Sequence, residues 1–251
     1  MNTRYMIRLA ALTAILWAGA CASAPDLKNL PADALFQQGL ASLQAEKWAD
    51  AARAFERFSL EFVGHEKYQE ARFHLGEARF GAKEYVLAAA DFARLQNDFP
   101  GGAWADDAQF KTCESYVKLS PDVQLDQEYT QEALNQCQVM VAYYPASEHV
   151  PKAAAYVVEM TDKLANKLYY VGDYYFRRRA YDPAIMYYEL TASTYPTSSY
   201  APRALSRLID TYRVLKYDTE ETETRARLLR DYPQSPEARA LTARTDSVTI
   251  Q

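Results

Sequence analysis

The sequence repeats itself every 37 residues, and that period decides what the chain can fold into. Phe36, Phe73 and Phe110 lie 37 residues apart, as do Gly39, Gly76 and Cys113. At the same offset Trp48 pairs with Tyr85, Ala51 with Ala88 and Phe55 with Phe92. A fixed period of this length marks stacked supersecondary units, each unable to bury its apolar face alone. Within one unit Gly76, Tyr85, Ala88, Phe92 and Pro100 are separated by 9, 3, 4 and 8 residues, and Gly172, Tyr181, Ala184, Tyr188 and Pro196 reproduce those separations.

This spacing describes a helical hairpin. Small residues at Gly76 and Ala88 let two antiparallel helices approach closely, aromatic rings at Tyr85 and Phe92 fill the space between adjacent hairpins, and Pro100 ends the second helix. Only eight glycines stand among abundant Ala, Leu, Tyr, Glu and Arg, which favours helices over strands. The pattern resembles the tetratricopeptide repeat, whose period of about 34 residues is lengthened here in the turn between units. The expected fold is all-α, a right-handed solenoid of about five helical hairpins, that is, an α–α superhelix.

The first repeat covers Asp33 to Val63, with helices over Ala34–Glu46 and Trp48–Phe62, and the second covers Tyr68 to Pro100. The third runs from Trp104 to Pro145 with an insertion over Ser120–Asp126, its second helix starting near Gln127. After Pro151 the fourth opens with a helix of nearly thirty residues, to Arg179. The fifth, Ala201 to Pro233, has Glu221 where other repeats have alanine, and the first ends in Phe62-Val63-Gly64 where others end in Tyr-Pro. The expected layout assigns 33–149 to repeats 1–3 as a substrate- or peptide-binding half, 150–242 to repeats 4–5 as a partner-docking half, and 243–251 to a tail.

Before the repeats, Arg4 and Arg8 precede an apolar run from Leu9 to Trp17, then Ala18, Gly19, Ala20 and Cys21. The run is about half of the roughly 20 residues needed to cross a bilayer, so residues 1–20 read as a secretory signal. A cysteine at the cleavage point resembles a bacterial lipobox, although Ala18 stands where such motifs most often have Leu. The resemblance makes Cys21 the lipidation site and 21–32 a lipidated tether. Ala22 and Ser23 follow without the Asp associated with inner-membrane retention, which points to the periplasmic face of the outer membrane. The other reading is an ordinary signal and a soluble periplasmic protein.

Without Arg4 and Arg8 the 28 basic side chains fall to 26 against 33 acidic, a net charge of −7 that disfavours nucleic acid as a partner. No catalytic constellation emerges: His65, His74 and His149 show no metal-ligand spacing, and no Cys-x-x-Cys, phosphate loop or Gly-x-Ser-x-Gly turn occurs. The chain reads as a binding protein, with no enzymatic activity, cofactor or metal. Cys113 and Cys137 take positions that other repeats fill with Gly and an aromatic, so they are core by register. They are read as buried free thiols, with a disulfide the other state open to them in an oxidising periplasm.

Binding surfaces are expected on two faces. First helices line the concave face of such stacks. The register puts Phe36, Leu40, Phe73, Glu77, Phe80, Phe110 and Glu114 on it, a ladder suited to an extended peptide with apolar side chains. The competing reading makes the three aligned phenylalanines interhelical packing. The second face is the Tyr-rich segment ending in Arg177-Arg178-Arg179, where Tyr174 and the arginines combine the residue types that dominate interfaces.

The lipobox, the insertion in the third repeat, the long helix of the fourth, the run Val171-Gly172-Asp173-Tyr174-Tyr175 and the Tyr144-Pro145, Tyr195-Pro196 and Tyr232-Pro233 endings together resemble the BamD family, lipoproteins of the outer-membrane β-barrel assembly machinery. The resemblance spans almost the whole mature chain. It implies a scaffold docked through its C-terminal repeats onto the POTRA domains of the barrel-forming insertase, beside other assembly-complex lipoproteins. It also implies N-terminal repeats that receive unfolded outer-membrane proteins, and a membrane association by the lipid anchor only. The rival is a periplasmic repeat adaptor of the Tol–Pal or peptidoglycan-synthesis machinery, disfavoured because no heptad segment precedes the repeats.

Overall fold

A computed structural model describes residues 27–248, so the expected signal segment and Cys21 lie outside the described residues. These residues contain eleven α-helices and no strand: α1 (Ala32–Gln44), α2 (Trp48–Glu61), α3 (Tyr68–Gly81), α4 (Tyr85–Asp98), α5 (Ala105–Leu119), α6 (Glu128–Tyr143), α7 (Val150–Arg177), α8 (Tyr181–Thr194), α9 (Tyr200–Leu215), α10 (Asp218–Asp231) and α11 (Pro236–Val248). They form two compact units, one ending at Ala82 and the other beginning at Lys83.

The repeat is written in the backbone as well as in the side chains. Each second helix ends on an aromatic residue, at Phe62, Phe99, Tyr144, Tyr195 and Tyr232, whose N–H bonds the carbonyl four residues back. One more turn follows in every case, closed by N–H groups of His65, Gly102, Ser147, Ser198 and Ser235 donating to those aromatic carbonyls. Val63, standing where other repeats have proline, keeps the same turn. Where the first helix of a hairpin ends, Glu46, Lys83, Arg179 and Lys216 take φ of 55 to 62°, the left-handed corner that glycine usually fills. Lys47, Ala180 and Tyr217 then donate their N–H five residues back, completing the cap.

In the first unit α1 and α2 meet at Gly39, where an added Cβ would lie 2.7 Å from the Phe55 ring. Phe36 packs edge-on against Phe55 and Phe58 at 5.7 and 5.6 Å. Trp48 performs the same office one helix further on, against Gly81 of α3. The sequence reading gave both aromatic positions to the space between hairpins. In this unit they differ: Trp48 fills that space, while Phe55 sits inside its own hairpin and also touches the His74 ring at 5.3 Å. Leu27 and Leu30 pack on this core too, so the segment expected to be tether is bound from Leu27 onward.

In the second unit α7 and α8 repeat the device, with an added Cβ on Gly172 falling 2.7 Å from the Tyr188 ring. The third hairpin, α5 and α6, is different. Cys113 and Cys137 are bonded, with Cα atoms 4.9 Å apart, so the reading of buried free thiols is corrected. Their core position holds, since both are fully buried.

Helix α7 has 28 residues and serves two neighbours. Ala153, Met160 and Leu164 on its N-terminal part pack with Ala133, Leu134 and Met140 of α6, and its C-terminal part takes α8. Its lysines clasp the inserted loop, Lys163 donating to the Ser120 carbonyl and Lys167 to the carbonyls of Gln124 and Leu125. At the chain's end α11 begins within the stretch assigned to repeats 4–5 and runs on into the segment expected to be a tail, and it buries Ala238 and Leu241 against Leu205, Leu208 and Ile209. Its start is capped by Ser235, whose hydroxyl accepts the Ala238 N–H at 3.1 Å.

Gly172→Ala should destabilise the protein by about 1–3 kcal/mol in urea or thermal unfolding, because the buried Tyr188 ring has nowhere to retreat. Lys216→Gly should act oppositely and raise stability by about 0.5–1 kcal/mol, since glycine adopts the left-handed corner without steric cost.

Candidate functional site

The expected peptide-binding ladder is placed differently from the sequence reading. Phe36, Phe73 and Phe110 are only 2, 6 and 3% exposed, so these rings belong to the packed interior. The physical reason is the hairpin itself: a ring one turn before the close-approach glycine faces the partner helix, as Phe36 faces Phe55 and Phe58. Cations lie over the faces of two of them, Lys67 at 5.2 Å from the Phe36 ring centre and Lys152 at 5.2 Å from that of Phe110. Leu40, Glu77 and Phe80 stay half-buried in the first unit.

Glu114 is buried as well, but as an ion-pair centre. Lys111 and Lys152 approach its carboxylate at 2.8 and 2.7 Å. Burial pushes this carboxyl up, yet the two lysines outweigh that and hold it below the ordinary carboxylate range. Beside it His149 stacks flat on Phe110 at 4.4 Å and shares a 2.7 Å hydrogen bond with Asp107. In the first unit Glu77 bonds His74 at 2.7 Å. His74 and His149 are thus each held by a carboxylate, and among the described residues no group of three His, Cys, Asp or Glu side chains is placed to hold a metal.

A cluster that the sequence reading missed joins α7, α8 and α9. The Tyr188 hydroxyl donates to Asp173 at 2.7 Å, and Arg207 pairs with the same carboxylate at 3.2 Å while lying over Phe176. Burial, and then the Asp173 carboxylate, push the Tyr188 phenol upward, so it remains a donor. One signal was available, the acidic residue directly after the close-approach position: Glu77, Glu114, Asp173 and Asp210. Glu221, unexpected at an alanine position, is met by Arg213 and Arg225, each at 2.8 Å.

The arginine run at the end of α7 divides by role. Arg179 is the left-handed corner residue. Arg177 donates to the Asp173 carbonyl at 3.3 Å. Arg178 lies 4.5 Å above the ring of Tyr174, and both side chains are exposed. Tyr170, one turn earlier on α7, is exposed to the same extent as Tyr174, 41%. Behind Tyr174 the Tyr175 ring stacks on Tyr187 of α8 at 5.8 Å. The result is an exposed aromatic and cationic strip on a helix held from within.

Paired helices with a recurring glycine-on-ring contact and a recurring left-handed corner define a helical-repeat protein of the tetratricopeptide type. No described helix is long and apolar enough to cross a membrane. The family described as YfiO, outer membrane lipoprotein, matches residues 28–228, and this chain belongs to that family. It is 25% identical over 203 residues to the outer membrane protein assembly factor BamD of Caulobacter vibrioides, covering 81% of this chain and 67% of that one. To the BamD of Rickettsia prowazekii it is 25% identical over 219 residues, covering 86% and 87% of the two chains. A solved TPR protein from Thermus thermophilus matches with TM-score 0.37 and 16% identity, over 85% of this chain and 97% of that one.

The Glu114 ion pairs set a pH dependence. A carboxyl held below its ordinary value of 4.5 contributes stability that is complete above that value and lost as pH falls through the lowered one. Glu114→Gln should therefore cost about 1–2 kcal/mol at neutral pH, with the gap to wild type closing as pH falls below the ordinary carboxyl value in urea titrations.

Proposed function

We propose that this protein is a lipid-anchored scaffold that assists the assembly and insertion of β-barrel proteins into the outer membrane, acylated at Cys21 and held on the periplasmic face. Membership of an outer membrane lipoprotein family and relatives named as outer membrane protein assembly factors support this reading. Unfolded barrel strands expose alternating apolar residues and unpaired backbone groups that aggregate unless held. A scaffold that binds both such a chain and the insertase raises their effective concentration for each other, and needs neither a catalytic group nor a cofactor.

The observation that carries the docking part is the Tyr174–Arg178 pair. A guanidinium already stacked on a ring has given up much of its rotational freedom before a partner arrives, so less is lost on binding. Together with Tyr170 and the cations of Arg177 and Arg179, it forms the surface assigned to the POTRA domains of the barrel-forming subunit. Other assembly lipoproteins join the same complex. In the first unit Leu40, Glu77 and Phe80 are the groups assigned to unfolded substrate, with Phe36 and Phe73 supporting them from within.

Affinity purification from detergent-solubilised envelopes tests this. Wild type should recover a large β-barrel subunit bearing POTRA domains. Tyr174→Ala combined with Arg178→Ala should reduce that recovery about tenfold or more without moving the melting temperature by more than about 2 °C, because both side chains are exposed. Recovery of Tol–Pal or peptidoglycan-synthesis proteins in its place would sink the assembly role.

A further inference from the structure

Cys113 and Cys137 stand at the register positions held by Gly39 and Phe55 in the first hairpin and by Gly172 and Tyr188 in the fourth. Those pairs are 16 residues apart and the cysteines 24, the longer offset reflecting the loop inserted from Ser120. The third hairpin has no ring to seat on a bare Cα. It has a covalent bond there.

Both cysteines are 0% exposed. The face of the hairpin around them is closed by α7, through the Lys152–Glu114 and Lys163–Ser120 contacts and the packing of Ala153 with Phe110 and Met140. A protein oxidant cannot reach either sulfur once these helices have packed.

We propose that this chain is a substrate for thiol oxidation by a protein of the dithiol–disulfide exchange class, and that the bond is made as α5 and α6 meet and before α7 closes over them, as the covalent substitute for the glycine–aromatic pair. One cysteine thiolate attacks the oxidant's disulfide, forming a mixed disulfide and releasing one oxidant sulfur. The second thiolate attacks the chain's own sulfur in that mixed disulfide, forming the Cys113–Cys137 bond and releasing the other oxidant sulfur. The protons of both cysteine thiols end on the oxidant, which is reduced by two electrons while the chain is oxidised by two. The reaction belongs to an oxidising compartment, so completion of the second unit follows export. This rests on the export part of the proposed function and is independent of the assembly part.

The full-length protein, produced in a host with a periplasmic protein-disulfide oxidant and in the same host without it, is treated with a maleimide and mapped by peptide mass. From the complete host, Cys113 and Cys137 should stay unlabelled after denaturation alone and both label after denaturation with reductant. From the deficient host both should label on denaturation without reductant, and the melting temperature should fall by about 5–10 °C. Cys113→Ser with Cys137→Ser should show that lowered value in both hosts. Cys113→Gly with Cys137→Phe, which restores the pair used elsewhere, should melt alike in both hosts and above the serine variant. Free thiols in protein from the complete host, full oxidation in the deficient host, or a serine variant as stable as oxidised wild type would each overturn the proposal. If the Gly/Phe variant does not fold, the serine comparison alone decides. None of these outcomes depends on which partner is recovered from envelopes, so the two readings fail separately.

Discussion

How near the two helices of a hairpin can come governs this architecture. In α1–α2 and α7–α8 the limit is set by a ring resting on a glycine Cα, at Phe55 on Gly39 and Tyr188 on Gly172. A fully buried ring of this size contributes about 2–3 kcal/mol, and the site exists only because glycine has no Cβ. In α5–α6 a bond closing a 24-residue span takes that place, worth about 3 kcal/mol on the loop-entropy account. The two solutions are of similar value, which is why they can stand at the same register. Lengthening the connection from 16 to 24 residues itself costs only about 0.4 kcal/mol in closure entropy. What the disulfide replaces is therefore the missing ring, not the cost of the longer loop.

A second regularity follows from the first. The residue after the close-approach position is acidic from the second repeat onward. Two of these acids reach the next hairpin's first helix, Glu114 to Lys152 of α7 and Asp173 to Arg207 of α9. Successive hairpins of the second unit are thereby tied by charge as well as by apolar packing. Burial alone would raise the carboxyl of Glu114, and its two lysines reverse the sign. The tie thus depends on charge compensation, as expected for ionic groups in a poorly solvated layer.

Much of this was legible from spacing. The period gave the hairpins, the Tyr-Pro endings their limits, and the absence of breakers between Pro151 and Arg179 the length of α7. What stayed hidden has specific physical causes. An aromatic recurring at the repeat period is equally consistent with a core ring and with a surface ladder, and only the partner helix decides between them. Phe36, Phe73 and Phe110 went to the core. The disulfide was obscured because the inserted loop breaks the 16-residue offset that would have marked Cys113 and Cys137 as partners. The left-handed corners carry Glu46, Lys83, Arg179 and Lys216 in place of glycine, so Arg179 read as part of a cationic surface and not as a cap. Ser235-Pro236-Glu237 is a helix-start signal, with a capping hydroxyl, a proline in the first turn and an acid at the positive dipole end, and it announces α11.

The long helix is where these constraints meet function. A 28-residue α-helix extends about 42 Å, so one element links the third hairpin to the fourth. Its N-terminal stretch, as far as Lys167, is fixed by the cross-linked hairpin, through Lys152 to Glu114 and Lys163 and Lys167 to the inserted loop. Its second half is fixed by Tyr188 on Gly172 and by the Asp173 cluster that reaches α9. Tyr170, Tyr174 and Arg178 project from that second half. Their direction is therefore set by contacts on both sides of the helix, none of which they make themselves. A strip so placed can lose its own side chains without loss of fold, whereas loosening the third hairpin releases one of the two holds on the helix that carries it. The exposed strip thus depends on the fold while the fold does not depend on the strip, and this asymmetry arises because α7 is twice as long as α8, its partner in the hairpin.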